Sequence, residues 1–290
     1  MKIATYYRNA KSAFSFVFDD GCYKDSTLDA YENLKEVYEK TGVKIKITSA
    51  QTVGFLHEGL INMWKKLISE GYADICGHSI DHCLCYNDVT DPALLHKDAK
   101  ETKERLEEIY ETPVITYVTP GGGSNQVGWD ILKEYYYANR NGNDRLNDTY
   151  DMNLYDVGTF TTRFAYDVSP YIDNIDSTIA KGGWCVQMNH WLSKKEQDTH
   201  HAQKYETFLP EVTYLAEQVN KNNVWACSFN EMIKYIYLRD NSELVVENTE
   251  NGTKVTLKTD LAADIFDAPV SLILDDGRVI DIYANQTIVI

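Results

Sequence analysis

Alternating strand and helix signals over residues 1–240 constrain the fold of this chain more than any other feature. Apolar runs of strand length are separated by segments in which apolar residues recur at helical spacing. Such alternation is typical of a parallel sheet covered by helices, and it predicts a barrel-like α/β domain. The predicted strands are 43–48, 72–76, 114–119, 135–139, 184–189 and 224–227, and the predicted helices lie near 60–68, 91–110, 127–133, 177–181, 202–220 and 230–238.

The pattern changes after residue 240, where short segments of alternating polarity replace the helices. Asn-Gly and Asp-Gly pairs separate these segments and favour hairpin turns. We therefore predict two domains, 1–240 and a small β-sandwich module at 241–290, which pack closely because no flexible Gly/Ser linker joins them. The predicted strands of the module are 243–248, 254–259, 270–274, 279–283 and 287–290.

Paired carboxylates stand where the first strong strand gives way to a helix. Asp19, Asp20 and Gly21 follow the apolar run 16–18. The same Asp-Asp-Gly letters at 275–277 are interpreted as a plain hairpin turn, since strand signals flank them on both sides. The N-terminal copy instead lies at the carboxyl end of a predicted parallel strand, where α/β folds gather their active groups.

Three histidines also follow predicted strands. His78 and His82 come directly after the strand 72–76, and their i, i+4 spacing would direct both rings to one side of a helical turn. His190 ends the apolar segment 184–189. One carboxylate and two imidazoles leave open positions on a divalent metal, which is typical of a catalytic site.

These motifs together resemble the polysaccharide deacetylases of carbohydrate esterase family 4. The family's Thr-Phe-Asp-Asp-Gly is matched by residues 17–21, its His-Ser/Thr-x-x-His by 78–82, and its Leu-x-His by 188–190. The resemblance covers about two thirds of the chain and implies the family's distorted, incomplete (β/α) barrel. By resemblance, Asp19 is the general base, Asp20, His78 and His82 are the metal ligands, and His190 is the general acid.

Two family motifs are altered. The third, Arg-x-Pro-x-Gly, corresponds to residues 118–122, with Val118 in place of the arginine that orients the base. Arg140 and Arg163 are the candidate replacements. The fourth motif, Asp-x-x-Asp-Trp, is not intact, and Asp156 and Asp167 are alternative carboxylates for tuning His190.

The resemblance also implies a substrate surface and a cofactor. Pro120, Gly121, Gly122 and Met188 would contact the glycan, because the glycines let the backbone approach a sugar closely. One divalent ion is expected, zinc first, with cobalt, nickel or manganese as alternatives. The implied activity is removal of acetyl groups, N-acetyl before O-acetyl, from a polysaccharide or oligosaccharide. The alternative is a glycan-binding protein on a decayed catalytic scaffold.

Composition limits the partners and the location. The formal net charge of −16 argues against nucleic acid and is compatible with a neutral or cationic glycan. We expect no membrane span, and no charged-then-apolar leader is evident. The location would be extracellular or periplasmic if a leader has been removed, and cytoplasmic otherwise. The cysteines follow no Cys-x-x-Cys spacing and are expected to stay reduced; they are Cys22, Cys76, Cys83, Cys85, Cys185 and Cys227.

Overall fold

The computed structural model describes residues 1–84, 86–89, 91–198, 201–250 and 252–290. Its helices are α1 Lys24–Thr41, α2 Glu58–Ser69, α3 Pro92–Tyr110, α4 Gln126–Leu132, α5 Ser169–Lys181, α6 Tyr205–Asn220 and α7 Phe229–Asp240. Its strands are β1 Lys2–Ile3, β2 Ser12–Phe18, β3 Ile47–Gln51, β4 Ala73–Gly77, β5 Thr116–Val118, β6 Ala138–Asp144, β7 Val157–Thr161, β8 Trp184–Asn189, β9 Leu192–Ser193, β10 Gln203–Lys204, β11 Val224–Ala226, β12 Glu243–Thr249, β13 Gly252–Lys258, β14 Val270–Ile273, β15 Val279–Ile282 and β16 Thr287–Val289.

Seven parallel strands, β2 to β8, form a ring that closes where β2 pairs with β8, and β11 adds a further parallel pairing to β2. The predicted fold class, a (β/α) barrel followed by a small β module, is confirmed. A complete barrel of this type has eight strands, so this one is short of one strand. Its thinnest junction lies between β4 and β5, which share the single residue pair Gly77 and Tyr117.

Local sequence explains the better-predicted elements. Every residue of β2 is buried, as expected for a strand with barrel interior on one side and helices on the other. Helix α3 begins where predicted, because Asp91 accepts a hydrogen bond from Ala93 N and Pro92 occupies the first turn. It ends at Tyr110, because the left-handed φ of 54° at the next residue, Glu111, cannot continue a helix.

Other boundaries were predicted wrongly. The segment 43–48 was expected to be a strand, but β3 starts only at Ile47, after an irregular approach from α1. The strand predicted at 135–139 is β6, Ala138–Asp144, because 133–135 still belong to the turn that ends α4. Helix α5 begins at Ser169, eight residues before the predicted start near 177, with Pro170 in its first turn.

The C-terminal strands, together with β1, form two three-stranded antiparallel sheets, β12-β13-β16 and β1-β14-β15. Apolar side chains from both sheets share one core with Tyr235 and Leu238 of α7. The N-terminal strand β1 lies in this module, which sequence patterns did not indicate. The division into 1–240 and 241–290 stays a prediction.

The sequence also led to expectations about membrane spans and about the cysteines, which can be compared with the described residues. Within them, no helix combines the length and apolar character needed to cross a membrane. The cysteines in the described part of the chain are all free, namely Cys22, Cys76, Cys83, Cys185 and Cys227, whereas Cys85 lies outside it.

Candidate active site

A left-handed turn at the carboxyl end of β2 separates the two motif carboxylates. Asp20 has φ 70° and Gly21 has φ 71°, and such values are uncommon for a residue other than glycine. The Trp64 indole holds the turn by donating to the Gly21 carbonyl at 2.9 Å. Backbone strain of this kind concentrates at functional sites. Asp19 consequently contacts Arg140, while Asp20 faces the two motif histidines.

Asp20, His78 and His82 converge as a candidate metal centre. Asp20 Oδ1 lies 3.6 Å from His78 Nε2 and 3.7 Å from His82 Nε2, and the three ligand atoms all lie within 4.8 Å of one another. The Val118 carbonyl lies 2.7 Å from His78 Nδ1 and can only accept a hydrogen bond. His78 Nδ1 therefore carries the hydrogen, and Nε2 keeps its lone pair. Two imidazole nitrogens and one carboxylate oxygen suit a divalent transition metal, so these residues fit the ion that the motifs imply.

The electrostatics of this centre favour an ionised Asp20. Burial alone would raise the pKa of its carboxyl group, but when the histidines are protonated the hydrogen bond and charge of His78, with the charges of the nearby His190 and His82, outweigh burial. The net pKa is lowered from the ordinary value. The carboxylate is therefore in the form that a metal ligand requires.

The predicted helical turn at 78–82 is wrong, although its two histidines do meet. Ser79 has φ 74° and His82 has φ 62°, both outside the helical region. The Ser79 hydroxyl accepts hydrogen bonds from Asp81 N at 3.3 Å and His82 N at 2.9 Å, offering the backbone an alternative to a helix. The imidazole ring centres lie 5.0 Å apart in this compact loop.

Arg140 reaches Asp19 from β6, the neighbour of the strand β5 that contains Val118. Its guanidinium donates to Asp19 Oδ2 at 2.6 Å, and both side chains are buried, with 1% of Arg140 and 5% of Asp19 exposed. Val118 and Arg140 are directly paired between β5 and β6, so the arginine stands at the same level of the barrel. Arg163, the other candidate, is exposed and pairs with Asp144 at 3.4 Å.

His190 follows β8 at the same level as the carboxylates, because Asn189 pairs with Phe18 and its carbonyl accepts from Asp19 N at 2.8 Å. Burial lowers the pKa of the imidazole, while the charges of Asp19 and Asp20 act in the opposite direction. His190 Nδ1 is buried and has no hydrogen-bond partner within the described ranges.

The two carboxylates considered for tuning His190 are engaged elsewhere. Asp156 accepts from Asn141 Nδ2 at 2.6 Å and pairs with Arg145 at 2.9 Å. Asp167 accepts from Ser169 N at 2.8 Å, at the start of α5. The structure thus brings neither of them into a hydrogen bond with His190.

The residues expected to contact substrate lie beside these groups. Pro120, Gly121 and Gly122 form a 3₁₀ turn directly after β5, with φ 67° and 72° at the two glycines. A Cβ atom on Gly122 would lie 2.9 Å from Gly142 Cα, so the backbones of the β5 and β6 ends touch there. Met188 is a buried residue of β8.

Sequence reasoning missed two polar side chains around the centre. Tyr23 donates to Asp20 Oδ2 at 3.2 Å, and its ring lies 4.7 Å from that of Trp191. Asp98 of α3 accepts from Ile80 N at 3.0 Å and so supports the histidine loop. The available signal for Asp98 was its place on the apolar stripe of α3, three residues after the buried Leu95.

Comparison with solved structures identifies molecules of the same fold. The chain is similar to the Xyl-CE4 domain of a multidomain xylanase from the hindgut metagenome of Trinervitermes trinervoides, with 11% identity, a TM-score of 0.50, and coverage of 77% of this chain and 90% of that one. It is also similar to a protein assigned as a polysaccharide deacetylase from Mycobacterium smegmatis, with 11% identity, a TM-score of 0.56, and coverage of 86% and 98%.

These likenesses confirm the resemblance predicted from the motifs at the level of the fold. No protein-family model matches the sequence, and no curated protein matches it either.

Proposed function

We propose that this protein is a metal-dependent hydrolase that removes acetyl groups from a polysaccharide or oligosaccharide, N-acetyl groups in preference to O-acetyl esters. One observation supports the proposal most directly: the two adjacent carboxylates contact different side chains. Asp20 faces His78 and His82, whereas Asp19 is held by Arg140. A site that binds an ion and also moves a proton needs such a division.

Asp20, His78 and His82 would hold one divalent ion, and the nitrogen-rich donor set suits zinc, with cobalt, nickel or manganese as alternatives. Such an ion acidifies water and polarises the carbonyl oxygen of an acetyl group. Tyr23 supports the ligand set by donating to the second oxygen of Asp20. The Val118 carbonyl fixes the tautomer of His78 in the same way that outer partners fix metal-binding histidines.

Asp19 is the proposed general base. Its Oδ2 is occupied by Arg140, while Oδ1 is buried and has no hydrogen-bond partner among the residues that the structure describes. Oδ1 is therefore the atom that can take a proton from the attacking water. The Arg140 guanidinium, bonded to Oδ2, fixes the orientation of the carboxyl group.

His190 is the proposed general acid. As an imidazolium, it would give its proton to the departing nitrogen as the bond between the acetyl carbon and the amine breaks. Water supplies the hydroxyl group of the acetate and the proton taken by Asp19, so the products are acetate and the free amine. Pro120, Gly121, Gly122 and Met188 would line the sugar, and the open space at Gly121, where an added Cβ would meet no atom within 4 Å, would admit it closely.

Residues 1–240 would form the catalytic domain, and residues 241–290 would serve as a structural cap. The shared core between α7 and the two small sheets supports this division of roles. The net charge of −16 favours a neutral or cationic glycan over an anionic one.

Metal analysis combined with acetate release tests the proposal. The purified protein should carry about one ion per chain and release acetate from N-acetylated glycans faster than from O-acetylated ones. His78→Ala and His82→Ala should each lose the ion and the activity, whereas His96→Ala should keep both, since His96 lies on α3 and faces Tyr135 and Glu134 in the turn after α4. Full occupancy in both ligand variants would refute the metal site. Glycan binding without acetate release by the metal-loaded protein would favour a binding protein on a decayed scaffold.

A further inference from the structure

A buried carboxylate outside the candidate site, that of Asp98, joins three segments of the chain. Its Oδ1 accepts a hydrogen bond from Ile80 N at 3.0 Å, and its Oδ2 accepts from the hydroxyls of Tyr86 at 2.9 Å and Tyr117 at 2.8 Å. Only 5% of Asp98 is exposed. Hydrogen bonds to an ionised acceptor are stronger than neutral ones, so this carboxylate is a firm anchor.

The anchored residue, Ile80, is the midpoint between the two histidine ligands. Its N–H donates to Asp98, and its carbonyl accepts from Gly54 N at 2.6 Å, so the loop is held on both sides at this residue. On either side of Ile80, Ser79 and His82 have the left-handed φ values of 74° and 62°. Such conformations persist only where the surroundings impose them.

The two histidines depend on this loop to different degrees. His78 continues directly from β4: its N–H donates to the Gln51 carbonyl at 3.0 Å and its ring bonds the Val118 carbonyl. The side chain of His82 is 35% exposed, compared with 2% for His78. Displacement of the loop would therefore move His82 away from Asp20 and leave His78 in place.

Asp98 also spans the thinnest junction of the barrel. Strands β4 and β5 share only the pair Gly77 and Tyr117, and the Tyr117 ring passes so close over Gly77 that an added Cβ would lie 2.9 Å from Tyr117 Cδ2. The Tyr117 hydroxyl then reaches Asp98, which in turn bonds Ile80. The carboxylate links the two strand ends where the ladder provides little support.

We propose that Asp98 is a positioning residue that holds His82 in the geometry needed to bind the metal together with Asp20 and His78. It acts through the backbone of Ile80 and touches neither the metal nor the substrate. The proposal rests on the proposed metal site, but not on the identity of the glycan or on the catalytic roles of Asp19 and His190. Without this anchor, the loop adopts the metal-binding conformation in only a fraction of the molecules. The apparent affinity for the metal is then lowered in proportion to that fraction.

Zinc affinity of the full chain, measured by competition with a chromophoric chelator, tests this inference without any glycan. Asp98→Ala should weaken binding by about 10- to 100-fold, the usual effect of removing an outer partner of a metal site. Asp98→Asn keeps the side-chain volume and one acceptor for Ile80 N but loses the charge, so about tenfold is expected. Hydrogen exchange at the amides of Ile80 and His82 should accelerate in both variants.

Asp74→Asn is the matched control, because Asp74 lies on the same strand that leads to His78 but bonds Ser228 at the other end of the barrel. It should lower thermal stability without changing zinc affinity. If Asp98→Ala does not fold, Asp98→Asn decides. Zinc affinity within twofold of the unmodified protein, with His82→Ala losing the metal, overturns the role of Asp98 and leaves the site intact. If His82→Ala itself retains zinc, the proposed metal site fails first.

Discussion

The buried pair of Arg140 and Asp19 gives the strongest prediction. Only 1% of Arg140 and 5% of Asp19 is exposed, and Arg140 Nε and Nη1 have no hydrogen-bond partner within the described part of the chain. Arg140→Met would leave Asp19 buried without its cation, which typically costs about 3–5 kcal/mol in the free energy of unfolding. Asp19→Asn should cost a comparable amount, because it leaves the arginine unpaired.

Combining the two changes should restore much of that loss. The double variant buries no unpaired charge, so we expect a coupling free energy of about 3 kcal/mol between the two positions. Urea unfolding of chelator-treated protein measures it without a contribution from bound metal. Arg163→Met is the control, since the exposed pair of Arg163 and Asp144 should contribute no more than about 0.5 kcal/mol. Additive losses in the double variant would refute the reasoning.

Three further predictions concern the site and the core. Asp20→Asn should abolish metal binding, whereas Asp19→Asn should keep the metal and lower acetate release by about 10²- to 10⁴-fold; equal metal loss in both would make Asp19 a ligand. Because burial lowers the pKa of His190 and the mechanism needs its protonated form, turnover of saturating glycan should decline with rising pH at a value below the ordinary 6.5. A decline only at higher pH would assign the proton donor to another group. Burial raises the pKa of Glu211 from 4.5 to about 8, so the folded state holds a proton that the unfolded state releases between these values. Stability should therefore fall with rising pH by up to about 1.4 kcal/mol per pH unit across this window, and Glu211→Gln should remove that slope in unfolding measurements at pH 5 and pH 8.

Features that depend on local sequence were predictable. The motif residues of β2, β4 and β8 each follow a buried strand directly, and parallel strands bring their carboxyl ends to one end of a barrel. The strand ends alone predicted that a motif carboxylate and two histidines would meet, and the family resemblance implied that Asp20 is that carboxylate. The structure brings the ligand atoms of Asp20, His78 and His82 within 4.8 Å of one another. The start of α3 was predictable because its capping residue and its proline are local signals as well.

Features that depend on register or on distant partners were not predictable. The choice between Arg140 and Arg163 required the pairing of Arg140 with Val118 across two strands, which no local pattern encodes. The left-handed loop at 78–82 depends on Asp98, a residue of the next helix. The two residues of β1 are too few to show any periodicity, so their place in the C-terminal module could not be anticipated.

The pairing of β1 with β14 imposes an order on folding. Closure of the barrel needs only β2 to β8, which are complete by Asn189, so the ring can form while the chain is still being synthesised. Lys2 and Ile3, however, have their partners at Ile273 and Leu272, near the other end of the sequence. Lys2 and Ile3 therefore stay without these partners until β14 has been synthesised. Such a distant contact forms slowly, and it fastens the outside of a barrel that is already closed.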